Sequence, residues 1–178
     1  MGITIHYKLG AYKTTVKDIL DNTEKLASFI KKEADKAGID FTFDRISDYY
    51  LIINTQGCET LSFDFRTPKE IKSYFNYLSA KDLEWCNDQG YNIAEYPKNE
   101  KLYCSNFCKT QFSGATCHKW IADLVRLTAS RCFYADIYDE GNYYYTNKIE
   151  DAKQAIESNG QIINSLTETF KKLGYKTK

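Results

Sequence analysis

Residues 3–9, Ile3-Thr4-Ile5-His6-Tyr7-Lys8-Leu9, alternate apolar and polar side chains, the period-2 pattern of a strand with one face inward. His6 therefore points away from the face that carries Ile3 and Ile5. The period then changes: Val16, Ile19, Leu20, Leu26, Ala27, Ile30 and Ala34 recur at helical spacing, with Thr15 available as a cap and Gly38 as the C-terminal stop. A strand running into a long amphipathic helix needs a sheet to bury both apolar faces, which sets the class as α+β.

Outward from that unit, three short strands are expected at Phe41–Phe43, Tyr49–Ile53 and Leu61–Phe65, forming an antiparallel meander. Thr67-Pro68-Lys69-Glu70 reads as a helix start with a capping box, followed by the apolar stripe Ile71, Tyr74, Phe75 and Leu78. A short helix over Lys81–Cys86 and a polar connector come next, and an internal boundary, if there is one, falls near 87–100. The second half restarts with a strand at Leu102–Thr110, a helix from Gly114 to Arg131, and a hairpin of Cys132–Asp139 and Tyr143–Thr146 turning through Glu140-Gly141-Asn142. The last helix, Lys148–Leu173, repeats Ile149, Ala152, Ile156, Asn159, Ile163, Leu166, Phe170 and Leu173 in steps of three and four, a 3.5-residue seam that ends at Gly174.

The expectation is one α+β domain over residues 1–178, with a mostly antiparallel sheet of five to seven strands packed by about three long helices. A duplicated β-α-β-β order is an open alternative. Two β-α-β-β-β modules would resemble the vicinal oxygen chelate superfamily, whose halves enclose a metal. The second half here has no clear fourth strand, and the metal-binding strands of that family would need His or Glu that cannot be placed beyond His6, so no residue is carried over.

Composition narrows the function classes. The 24 Lys+Arg balance the 24 Asp+Glu and no long block of like charge occurs, which removes the footprint of a nucleic-acid or acidic-membrane binder. No run of about 18 apolar residues marks a membrane span, and the start of the chain has no leader pattern. The 6 cysteines, without an Asn-x-Ser/Thr acceptor nearby or elsewhere, point to reduced thiols in a cytoplasm.

Cys104, Cys108, Cys117, His118 and Cys132 form the densest set of metal-ligand types. On a strand Cys104 and Cys108 would stand about 13 Å apart, too far for one zinc. No metal or cofactor is therefore expected. Tyr49-Tyr50 and Tyr143-Tyr144-Tyr145 could stack bases, but without a basic groove they read as cross-strand pairs or interface residues.

Two further constellations remain. Lys109-Thr110-Gln111 leaves a strand just before the helix at Gly114, an arrangement suited to a phosphate or carboxylate. His118, in the first turn of that helix at the border of its apolar stripe, is expected at the surface or in a cleft, with Asp136, Asp139 and Glu140 on the following hairpin as partners. The first reading is non-catalytic binding of a small anionic ligand or a protein partner, where 109–118 meets 136–142, through Lys109, Thr110, Gln111 and Asp136. The rivals are a small enzyme with His118 as acid/base beside Asp136, Asp139 or Glu140, and a homodimer paired through helix 148–173.

Overall fold

The computed structural model describes residues 3–67, 101–110 and 112–172. The expected helix that starts at Thr67, from Pro68 on, the helix over 81–86, the boundary near 87–100, Gln111, and the helix end at Leu173-Gly174 lie outside those residues. Ten elements are described: β1 (Thr4–Tyr12), α1 (Lys13–Ala37), β2 (Phe41–Ser47), β3 (Tyr50–Thr55), β4 (Leu61–Asp64), β5 (Lys101–Lys109), α2 (Gly114–Ala129), β6 (Tyr134–Asp139), α3 (Tyr143–Thr146) and α4 (Ile149–Lys172).

The chain is α+β, but the strands form two antiparallel three-stranded sheets, β5-β1-β6 and β2-β3-β4, rather than one sheet of five to seven. The reason lies between β4 and β5. Backbone bonds join them only near the ends, where Glu59 N–H donates to the Lys109 carbonyl and Arg66 pairs with Tyr103. Between those points side chains replace the ladder: the Tyr7 hydroxyl donates to the Ser62 carbonyl at 2.7 Å, Asn106 donates to the Ser62 hydroxyl, and the Cys108 thiol donates to the Glu59 carbonyl at 3.0 Å. Burial pushes the Tyr7 phenol well above its usual value, which keeps it a neutral donor there.

The strand–helix reading of residues 3–38 holds. Ile5, Tyr7, Leu9 and Ala11 are buried on the inner face of β1 while His6 is exposed. Helix α1 buries Val16, Ile19, Leu20, Ala27, Ile30 and Ala34, and Gly38 closes it in the left-handed region at φ 67°. Thr15 does not cap: its hydroxyl donates back to the Tyr12 carbonyl. α1 and α2 share the core beneath both sheets, joined by the buried Thr23 and Thr128 hydroxyls 2.9 Å apart.

The expected hairpin is corrected. After β6 the chain turns, but Tyr143–Thr146 is one helical turn, α3, not a strand. Asp139 accepts from Tyr144 N–H at 2.8 Å, and the Arg126 guanidinium donates to the carbonyls of Tyr143 and Tyr144 while lying over both rings. Those carbonyls are thereby withdrawn from any strand ladder. Tyr145 covers the free edge of β6, its hydroxyl donating to the Ile137 carbonyl at 2.6 Å. With β6 followed by helix, the described residues do not show the duplicated β-α-β-β order.

The seam of α4 divides. Its first turns pack on α2 and α3, with Ala152 buried, whereas Ile162, Ile163 and Leu166 are 43%, 38% and 46% exposed. No helix among the described residues is long and apolar enough to cross a membrane.

Candidate functional site

β1 is the central strand of its sheet, so its outward residues each meet two cross-strand neighbours. Thr4 lies opposite Lys109, His6 opposite Phe107 and Tyr138, and Lys8 opposite Ser105 and Asp136. The inner face of the same three strands carries Ile5, Tyr7 and Leu9 into the core. The outer face is left with a row of rings flanked by charged rows on either side.

The His6 ring centroid is 5.8 Å from that of Phe107 and 6.0 Å from that of Tyr138, both tilted, within the range of aromatic contact. Phe107 is 48% and Tyr138 60% exposed. Two clefts share these three rings. One, of about 490 Å³, adds Lys8, Asn106 and Asp136; the other, of about 580 Å³, adds Thr4, Lys109, Glu140 and Asn159.

Charges on this face differ in how far they are committed. Lys8 and Asp136 form an ion pair at 3.7 Å, and Glu140 accepts from the Thr4 backbone N–H at 2.8 Å, which fixes its carboxylate at the sheet edge. The Lys109 side chain makes no hydrogen bond or ion pair among the described residues, so its ammonium is the uncommitted cation of the face.

His118 is corrected from the surface to the interior: it is 0% exposed. Its Nδ1 is 2.7 Å from the Thr110 hydroxyl and its Nε2 3.2 Å from Asp139 Oδ1. Thr110 Oγ1 also stands 3.3 Å from the Ile3 carbonyl, so it can donate either to that carbonyl or to the imidazole. Asp139 accepts further from Gly141 N–H and Tyr144 N–H, each at 2.8 Å. Burial, the largest influence, raises the Asp139 carboxyl, but the His118 hydrogen bond and charge and the two backbone N–H groups together hold it below the usual carboxylate range. A Cβ on Gly141 would stand 2.4 Å from His118 Nε2, so glycine is required there by close approach.

The expected cleft is thus two places. Lys109, Glu140 and Asp136 stand on the open face; Thr110, His118 and Asp139 form a sealed polar cluster behind it, tying the end of β5, the start of α2 and the end of β6. Both His118 nitrogens are occupied and none of the ring meets solvent, so this conformation gives it no access to an external substrate. Phe107, Tyr138 and His6 were missed as a site. Their only trace in the sequence is outward phase on separate strands, and their assembly depends on β1 lying between β5 and β6.

Among the described residues no group of three or more His, Cys, Asp or Glu side chains is placed to hold a metal ion. The fold and this face together define an α+β protein with an exposed aromatic sheet surface. No protein-family model, no curated protein and no solved structure matches the chain.

Proposed function

We propose that the chain is a non-catalytic binding protein that takes a small planar anionic ligand on the outer face of β5-β1-β6. The observation carrying this reading is the exposed ring row Phe107–His6–Tyr138 with uncommitted Lys109 one register step away. A planar ligand stacked on such rings gains on the order of 1 kcal/mol per ring contact, and a carboxylate or phosphate would meet the Lys109 ammonium. The clefts, at about 490 and 580 Å³, fall in the size range of small-molecule sites. A protein segment laid on the same face is the competing occupant. Balanced charge disfavours a long polyanion on either account.

The test is calorimetric titration of the full chain with a panel of aromatic carboxylates and nucleoside monophosphates. Binding weakened about fivefold or more by Lys109→Ala, and about tenfold by Phe107→Ala, supports the reading. No binding across the panel sinks it.

A second reading is self-association through the outer half of α4, favoured by the exposure of Ile163 and Leu166 on a 3.5-residue repeat, with exposed Ile162 beside them. Its test is the oligomeric state in solution.

A further inference from the structure

The loop between β3 and β4 brings Cys58 against the end of β5. Glu59 N–H donates to the Lys109 carbonyl at 2.8 Å, and the Cys108 thiol donates to the Glu59 carbonyl at 3.0 Å. Gly57, at φ +78°, lies so close to the next segment that an added Cβ would stand 2.6 Å from the Phe112 carbonyl oxygen. The loop is therefore seated on Cys108-Lys109 and Phe112-Ser113, with the peptide that follows Cys58 bonded to the Cys108 thiol and the Lys109 carbonyl, which makes Cys58 and Cys108 close neighbours. Cys58 is half-buried while Cys108 is fully buried.

We propose that Cys58 and Cys108 are a peroxide-reactive dithiol that closes reversibly to a disulfide across the β4–β5 seam. Position divides the roles: Cys58 has access to solvent and is the attacking sulfur, and buried Cys108 is the resolving one. The electrostatics agree, since the neighbouring Cys108 thiol, opposed by burial, holds the Cys58 thiol below its usual value, while Cys58 and burial push Cys108 up. Burial pushes the thiols of Cys104 and Cys132 up to about 12 and raises that of Cys117, so none of these competes as a thiolate.

In the first step the Cys58 thiolate attacks one oxygen of hydrogen peroxide; the O–O bond breaks and hydroxide leaves, taking up the thiol proton as water. Cys58 is then a sulfenic acid. The Cys108 sulfur attacks it, the S–O bond breaks, and the hydroxyl leaves as a second water with the Cys108 proton. Two thiols are oxidised by two electrons and one peroxide is reduced to two waters; a dithiol reductant reverses the link by exchange. This inference does not depend on the ligand reading, because Cys108 lies on the inner side of β5 and Cys58 in the loop packed against it.

The experiment treats the reduced, folded full chain with a small excess of peroxide and maps disulfides by mass spectrometry of non-reduced peptides. The expected result is a Cys58–Cys108 linked peptide that disappears on treatment with dithiothreitol. Cys108→Ser should stop at a Cys58 sulfenic acid trapped by dimedone, and Cys58→Ser should slow thiol loss about tenfold or more. Retention of both thiols in the folded parent, or a link from Cys58 to a different cysteine, would overturn the proposal. Mapping on the parent protein decides the matter even where a variant fails to fold.

Discussion

Asp139 Oδ1 stands 3.2 Å from Nε2 of His118, with both side chains fully withdrawn from solvent. This contact fixes the turn that leads from β6 into α3, because the same carboxylate accepts the N–H groups of Gly141 and Tyr144. A buried carboxylate with three donors is stabilising only while all are in place.

Asp139→Asn keeps the shape but puts an amide N–H₂ against a backbone N–H or the imidazole. A loss of about 2–4 kcal/mol is expected in chemical denaturation at neutral pH. The sign of the pH dependence follows from the depressed carboxyl. Stability from a lowered group is present above its unfolded value and lost as pH falls through the folded one. The gap between parent and variant should therefore hold from neutrality down to about pH 4 and shrink below it.

Gly141→Ala places a methyl 2.4 Å from His118 Nε2 and 3.2 Å from Asp139 Oδ1. Neither neighbour can retreat without breaking a buried hydrogen bond. The expected cost is about 1–3 kcal/mol in equilibrium unfolding, whereas Gly160→Ala, where an added Cβ meets nothing, should stabilise by up to about 1 kcal/mol.

Thr23 and Thr128 each have a carbonyl of their own helix in reach, Ile19 at 3.0 Å and Leu124 at 2.8 Å, besides each other. Each single Thr→Val change should cost about 1 kcal/mol, and the double change less than the sum, since no hydroxyl is then left facing a methyl. A double-mutant cycle by denaturation measures this. Strict additivity would show that the pair does not couple α1 to α2.

Residues whose environment is local were legible in the sequence. The alternation of Ile3–Lys8, the stripe of α1 and the stop at Gly38 all came through because neighbours in sequence settle them. Tyr143–Thr146 read as a strand because tyrosines favour strands; Arg126 and Asp139, which hold those residues helical, act through tertiary contact. His118 sits at the edge of an apolar stripe, where helical phase alone does not decide burial, and its partners Thr110 and Asp139 are 8 and 21 residues away. The ring row on the sheet was the least legible, since its register needs β1 between two strands from the far half of the chain.

Exposed Ile163 and Leu166 on α4 give a separate outcome. Leu166→Lys should change the stability of the isolated chain by no more than about 0.5 kcal/mol. If the seam pairs two copies, light scattering will show a dimer for the parent and a monomer for the variant. A parent that stays monomeric at high concentration removes that reading.

The most direct test uses the 2 histidines of the chain as opposed reporters, His6 on the open face and His118 sealed beneath it. Histidine-ring NMR signals would be followed while an aromatic carboxylate or nucleoside monophosphate from the panel is titrated in. The account predicts that the His6 ring shifts saturably, that the His118 ring stays in place, and that Lys109→Ala weakens the response. An unmoved His6 across the whole panel, or a saturable shift confined to His118, would contradict it.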